Sequence, residues 1–343
     1  MDFEKWYSKL PDFIKYNNFI LNFFLKIPKF LKKFDRNAKF NSQKQLFELI
    51  FLNSKFEVTG TLRNIQLLYL ELLRFLDNVC IKYGIEYWIA DGTLLGAVRH
   101  GGFIPWDDDV DISMMKEDYE KLIKVLPNEI SKYPYLKEGC GLSLLKENHE
   151  NYFTDFKSVY DPLGDGKIVA NDKFLFLQFA WLKPYVKIDI FPKDFIRDDK
   201  LDFVKKNYRT IKYKFSKDIQ HGRKNFDEEL KLRNDELGFV KNKTKYFTDS
   251  LDSLQLSPLL LFETDRIFPL SRIKFDMYEF SCPNDVFHWL DVVYGSNYMK
   301  LPDIIDSHNI SPFIVRQFNS KKEMDDKFNE VIGYLKNVND NFE

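Results

Sequence analysis

Four aspartates stand within five positions, Asp107, Asp108, Asp109 and Asp111, and the last of them lies in a run that alternates apolar and polar residues. Val110, Ile112 and Met114 alternate with Asp111 and Ser113, which reads as a strand with one face buried. Residues two apart on a strand point to the same side, so Asp109 and Asp111 share a face. Two carboxylates on one face repel strongly unless a cation lies between them. Hard oxygen donors of this kind suit Mg²⁺ or Mn²⁺, which usually bridge to substrate phosphates. Asp107 would join that face if the extended run starts early, as a ligand of second rank, whereas Asp108 points the other way. A calcium loop does not fit, because Ser113 and Met114 follow Asp111 where that pattern needs a further acid and a glycine.

The residues before this run sharpen the reading. Ile85 to Ala90 is a short apolar stretch with strand character, and Asp91-Gly92-Thr93 leads into helical sequence up to Arg99. A strand, a Gly-Thr turn and a helix start present unpaired backbone N–H groups and a hydroxyl to an anion, so Gly92 and Thr93 are candidate phosphate binders. His100 to Trp106 holds Gly101, Gly102 and Pro105 and reads as a loop. Arg99 either pairs with a donor phosphate through its planar fork or lies on a helix surface. Trp106 either stacks on a base or sugar or packs the loop, and His100 either orders the loop or touches substrate. A further acid, Asp189, interrupts the apolar run Val186 to Phe191, where a carboxylate is costly without a partner or a metal. If that strand neighbours the Asp109–Asp111 strand, three carboxylates converge.

The rest of the chain supplies scaffolding. Residues 61–83 carry Leu62, Ile65, Leu68, Tyr69, Leu72, Leu76 and Val79 at helical spacing, with Gly84 at the stop position. A helix is expected over Glu117 to Leu126. Strands are expected over Phe174 to Ala180 and Val186 to Phe191, with a turn cluster at Asp161 to Gly166. Helical, charge-rich sequence runs from about 200 to 245, and residues 271–282 suggest a hairpin. His288 to Tyr294 forms a short helix before Gly295, and a polar helix closes the chain. The Lys-rich stretch around Lys205, Lys206, Arg209, Lys212 and Lys214 reads as a solvated helix face. Residues 1–56 mix lysines with Phe, Ile and Leu, are broken by Pro11 and Pro28, and read as a helical cap, or as a basic amphipathic segment for peripheral membrane contact. The three cysteines are scattered without a CxxC pair, and the formal net charge is -1. The first points to a reducing, cytoplasmic setting and the second gives no reason to expect nucleic acid as a partner. No secretory signal or spanning run is visible. His149, His221, His288 and His308 lack metal-binding spacing.

Three stretches, Tyr87 to His100, Pro105 to Ile112 and Lys187 to Pro192, resemble the LicD family, which includes the fukutin-related proteins and belongs to the nucleotidyltransferase-fold superfamily. A later stretch, from Phe268 through Pro283 to Pro302, is also similar, so the likeness spans roughly residues 60 to 305. It implies an α/β (α+β) fold, a small mixed sheet flanked by helices, with a catalytic domain over 57–320, an N-terminal helical extension over 1–56 and a C-terminal helix over 321–343. It further implies Asp109, Asp111 and Asp189 as catalytic and metal-binding residues, and a Gly-Thr turn for phosphate. The implied activity is Mg²⁺-dependent transfer of a phospho-alcohol group, such as phosphocholine, from a CDP-alcohol donor to a glycan or lipid-linked oligosaccharide, with release of CMP, as in lipopolysaccharide or capsule biosynthesis. The implied location is the cytoplasm, with the inner membrane face as an option. A nucleotidyltransferase that leaves NMP on its acceptor and a metal-dependent glycosyltransferase are the alternatives. Lys187 and Lys193 beside Asp189 depart from the family's pattern.

Overall fold

The computed structural model describes residues 58–140, 142–146, 175–179, 186–220, 223–252, 258–301 and 314–342. The expected extension over 1–56, the turn cluster at 161–166, His149, His221 and His308 lie outside the described residues. The fold is α/β, a curled mixed sheet flanked by helices.

The first helix, α1 (Gly60–Tyr83), ends at Gly84, whose left-handed φ of 59° lets its N–H reach back to Cys80 and Ile81. The apolar spacing predicts one buried face. In fact α1 is buried on nearly every side from Ile65 to Cys80, and even Gln66, Glu71 and Asp77 are withdrawn from water. Each of the three finds partners, as buried polar groups must. Gln66 donates to the Asp107 carbonyl at 3.0 Å. Glu71 accepts from Tyr278 at 2.6 Å and from Asn339 at 3.0 Å. Asp77 accepts from Tyr87 at 2.7 Å and is held by Arg272.

A short strand, β1 (Trp88–Ile89), leads into α2 (Asp91–His100), and β2 (Val110–Met115) runs straight into α3 (Lys116–Ser131). The sheet continues through β3 (Leu142–Lys146), β4 (Leu175–Phe179) and β5 (Lys187–Ile196). In the order β1-β2-β5-β4-β3, only β2 and β5 run parallel among these neighbours. The sequence suggests that β5 stops before Pro192, yet it runs on to Ile196. Its edge explains this. β4 pairs residues 187–190 and β7 (Tyr246–Asp249) pairs residues 193–196, so Pro192, which has no N–H to donate, falls where one partner ends and the next begins. The 200–245 region is likewise two helices, α4 (Leu201–Gln220) and α5 (Phe226–Leu237), then a strand, β6 (Phe239–Val240), that pairs with the end of β5. Asn225 caps α5, and Gly238 ends it in the left-handed region.

Beyond β8 (Phe262–Glu263) and α6 (Thr264–Ile267), the expected hairpin forms from β9 (Ser271–Phe275) and β10 (Tyr278–Cys282). The helix α7 (Val286–Tyr294) follows. The terminal helix, α8 (Lys321–Asp340), packs Met324, Phe328, Val331, Leu335 and Val338 into the core beside α1. The three cysteines are buried and free. Among the described residues no helix is long and apolar enough to cross a membrane.

One glycine fixes how the loop after α2 is stored. A Cβ at Gly96 would stand 2.5 Å from the Gly102 carbonyl oxygen and 3.0 Å from the Ile104 nitrogen, both backbone atoms. Gly96→Ala is therefore expected to destabilise the protein by about 1–3 kcal/mol through overpacking. Gly333→Ala, on the exposed face of α8 with open space around the new methyl, is expected to stabilise it by about 0.5–1 kcal/mol. Urea unfolding of the two variants checks the pair, and a Gly96→Ala protein as stable as the parent would refute the packing account.

Candidate active site

The acid run occupies the N-terminal end of β2. Asp109 immediately precedes the strand, and Asp111 lies on the face it shares with Ser113 and Met115. Parallel pairing sets Asp111 directly opposite Asp189 of β5. Adjacent strands are roughly 4.7–4.9 Å apart, so two carboxylates in register stand side by side. Burial pushes the Asp111 carboxyl well above the usual range, and Asp109, Asp91, Asp189 and Asp107 each push it further. Asp189 is ion-paired with Lys187, two residues away on the same face of β5. The condition set by the sequence, that the two acid-bearing strands be neighbours, is therefore met.

The start of α2 grips β2 at this point. The Thr93 hydroxyl accepts the Asp111 N–H at 2.9 Å, and the Ala90 N–H donates to the Asp111 carbonyl at 3.0 Å. Thr93 is 2% exposed. Its oxygen thus fixes the strand to the helix rather than standing open at a phosphate site. Gly92 meets a different neighbour: a Cβ there would stand 3.1 Å from Asp107 Oδ2. The Asp107 carboxylate therefore lies against the turn where a phosphate was expected. Asp108 is buried, at 3% exposure.

Arg99 is engaged by backbone carbonyls and by its neighbour. Its Nη1 donates to the Tyr298 carbonyl at 3.0 Å and the Lys300 carbonyl at 3.4 Å, and its Nε donates to His100 Nε2 at 2.9 Å. The guanidinium holds the loop after α7 against α2. Trp106 packs on the core and meets His100 edge-on, with centroids 6.1 Å apart.

Several residues at the site were not among the site candidates named from the sequence. Asp91 takes a left-handed φ of 45°, a strained conformation for a residue with a Cβ. Burial pushes its carboxyl up to about 6, against the pull of Lys193, with Asp249 and Asp109 adding to the rise. Lys193 is 3% exposed. It is ion-paired with Asp249 and lies over the rings of Phe262 and Trp289 at 5.8 and 5.4 Å. The Tyr294 phenol, at the end of α7, is raised by desolvation and then by Asp91, Asp111, Asp107 and Asp109, so it faces the same cluster although the residue is 44% exposed. Tyr69 of α1 is also among the acids: its hydroxyl accepts the Lys187 N–H at 3.2 Å, and burial, Asp109, Asp108 and Asp189 raise it. Asp91 has a local signal, since Asp before Gly favours a turn. The Lys193–Asp249 pair has none, because the partners meet only through the β5–β7 register.

Among the described residues no group of three or more His, Cys, Asp or Glu side chains is placed so as to hold a metal ion. The chemistry of these acids nevertheless fits a hard divalent cation. Asp111 is crowded by four other aspartates on a partly buried surface, and oxygen donors so crowded are relieved by bound positive charge. Asp109, Asp111 and Asp189 are the donors such an ion would take, with Asp107 beside them.

Residues 84–220 match the family profile described as LicD/FKTN/FKRP, nucleotidyltransferase domain, and this domain belongs to that family. Over 65 residues the chain is 46% identical to the lipopolysaccharide cholinephosphotransferase LicD of Haemophilus influenzae, covering 19% of this chain and 24% of that protein. It is 48% identical over 48 residues to human ribitol 5-phosphate transferase FKRP, covering 14% and 10%. It is 27% identical over 150 residues to mouse ribitol-5-phosphate transferase FKTN, covering 40% and 32%. The chain thus spans about a third or less of the length of each of these relatives.

Two outcomes follow from the charges. Removing one negative charge from the crowded cluster relieves repulsion, so Asp111→Asn is expected to raise Tm in metal-free buffer at neutral pH. A shift of roughly 1–2 °C corresponds to about 1 kcal/mol at this size; a lowered Tm would contradict the crowding. His100 gives the opposite kind of test. Burial, then Arg99, depress its pKa to about 4, and its Nε2 accepts from Arg99 in the neutral form. The unfolded chain takes up this proton near pH 6.5 and the folded chain only near 4, so His100 costs stability as pH falls through that window and costs none above it. His100→Gln keeps an acceptor without titrating. Between pH 7 and 5 the parent is expected to lose more stability than this variant, measured by denaturant midpoints; parallel losses would exclude the assignment.

Proposed function

We propose that this chain transfers a phospho-alcohol group, phosphocholine or a relative such as phosphoribitol, from a CDP-linked donor to a hydroxyl of a cell-surface glycan or its lipid-linked precursor, releasing CMP. The observation that carries the reading is the parallel register of Asp111 with Asp189, which joins the Asp109–Asp111 pair to a third acid on the neighbouring strand. The names of the relatives support it: one is a cholinephosphotransferase acting on lipopolysaccharide, and two are ribitol-phosphate transferases.

In this reading Asp109, Asp111 and Asp189 hold Mg²⁺, or Mn²⁺ in its place. The bound ion would neutralise the donor's diphosphate and the departing CMP. The protein's own part is mostly placement. The acceptor oxygen forms a bond to the phosphorus that carries the alcohol, the bond from that phosphorus to the bridging oxygen breaks, and the hydroxyl proton passes to a nearby carboxylate or to water. Thr93 and Ala90, by gripping Asp111 on both its backbone groups, set the direction of its carboxylate before substrate arrives. Arg99 acts through the loop it holds, which keeps the end of α7 and Tyr294 over the acids. The reaction belongs in the cytoplasm, at the inner membrane face where the acceptor is lipid-linked.

A panel of CDP-alcohols with Mg²⁺ and a glycan acceptor tests the reading by release of CMP. One donor should be turned over well above the others, and Asp109→Ala and Asp111→Ala should each lower the rate by at least about a hundredfold, since even outer-shell changes at metal sites cost 10–100-fold. Nucleotide left on the acceptor would instead mark a nucleotidyltransferase. Release of a nucleoside diphosphate would mark a glycosyltransferase.

A further inference from the structure

Two lysines share the site face of β5, and they are held in opposite ways. Lys193 is enclosed: it is 3% exposed, ion-paired with Asp249 and covered by Phe262 and Trp289. A cation so confined has no room to change partner. Lys187, six residues earlier on the same face, has a side chain that is 31% exposed. Its backbone is fixed, because its N–H is bound by the Tyr69 hydroxyl at 3.2 Å. Its ammonium, on a flexible four-carbon arm, is spent on the Asp189 carboxylate.

That carboxylate stands opposite Asp111 and is the third donor for the metal proposed above. An ammonium and a divalent cation seated on the same carboxylate repel each other, so filling the metal site drives Lys187 from Asp189. The donor's diphosphate arrives at the same place and carries the negative charge that a displaced ammonium seeks. We propose that Lys187 is a ligand for the donor's diphosphate, which rests on Asp189 while the site is empty and turns to phosphate when metal takes that carboxylate. The inference rests on the metal-and-nucleotide reading of the site, though not on the identity of the alcohol. Lys187 then keeps the acids from repelling one another before the reaction and binds substrate during it.

The full-length chain and its Lys187→Met and Lys187→Arg variants provide the test, with folding verified by thermal unfolding. Mn²⁺ alone is titrated by electron paramagnetic resonance, and CDP is then titrated by calorimetry at saturating Mg²⁺. Lys187→Met should bind Mn²⁺ about two- to fivefold more tightly, the scale of one partly exposed ion pair removed from competition. The same variant should bind CDP about tenfold or more weakly, the scale of a lost charge-assisted contact, and Lys187→Arg should recover much of that loss. Opposite shifts for metal and nucleotide are the signature, because a lysine that merely supports the strand would move both the same way. Unchanged or weaker Mn²⁺ binding in Lys187→Met, or unchanged CDP binding, overturns the inference. If the parent protein binds neither Mn²⁺ nor CDP, the inference falls together with the metal reading. If the opposite shifts appear while no CDP-alcohol yields CMP, the inference stands and the transfer reading alone falls.

Discussion

Asp111 and Asp189 sit side by side because β2 and β5 pair in parallel with those two residues in register. Like charges at that separation oppose each other, and Asp91, Asp107 and Asp109 add to the opposition. Much of the surrounding architecture can be understood as holding this arrangement against its own repulsion. The Thr93 hydroxyl and the Ala90 N–H bind both backbone groups of Asp111, so the strand cannot rotate to separate the acids. Gln66 holds the Asp107 carbonyl and Tyr69 holds the Lys187 N–H. Both come from α1, which bears none of the candidate ligands.

That helix gives the site its rigidity. A helix buried nearly all round normally carries only apolar side chains, yet α1 buries Gln66, Glu71 and Asp77. Each joins α1 to a different distant segment: the acid loop, the helix α8 and the hairpin β9–β10. Such bonds are directional, so they fix register where apolar packing would tolerate sliding. A misplacement of about 1 Å can cost a hundredfold in a reaction that depends on positioning, which gives the core a reason to contain polar groups.

The parts of the fold with short sequence range were legible. Helical spacing with Gly84 marked α1, alternation marked β2, and the Gly-rich loop after Arg99 fell between α2 and β2. The acid pair could be read because its two members are two residues apart on one strand. What escaped depended on contacts between distant segments. Pro192 looked like a strand end because the change of partner along β5 cannot be seen from β5 alone. The short strands β6 and β8 are two residues each and owe their form to their neighbours. Arg99 was read from its residue type alone, and its contacts with the Tyr298 and Lys300 carbonyls, two hundred positions away, have no local signal. Lys193 and Asp249 meet across two strands, and nothing near either residue announces the other.

The strain at Asp91 belongs to the same account. A left-handed backbone at a non-glycine residue costs of order 1–3 kcal/mol and persists only where its surroundings over-determine it. Here the next residue is Gly92, where a side chain would crowd Asp107, and the one after is Thr93, already committed to Asp111. Relaxing Asp91 would shift the start of α2 and with it both bonds that hold Asp111. The backbone strain and the carboxylate repulsion are therefore coupled through three consecutive residues. A bound cation would relieve the repulsion and leave the strain untouched, so binding energy would go toward ordering the acids rather than toward reshaping the turn. The turn is already built in the form the acids require.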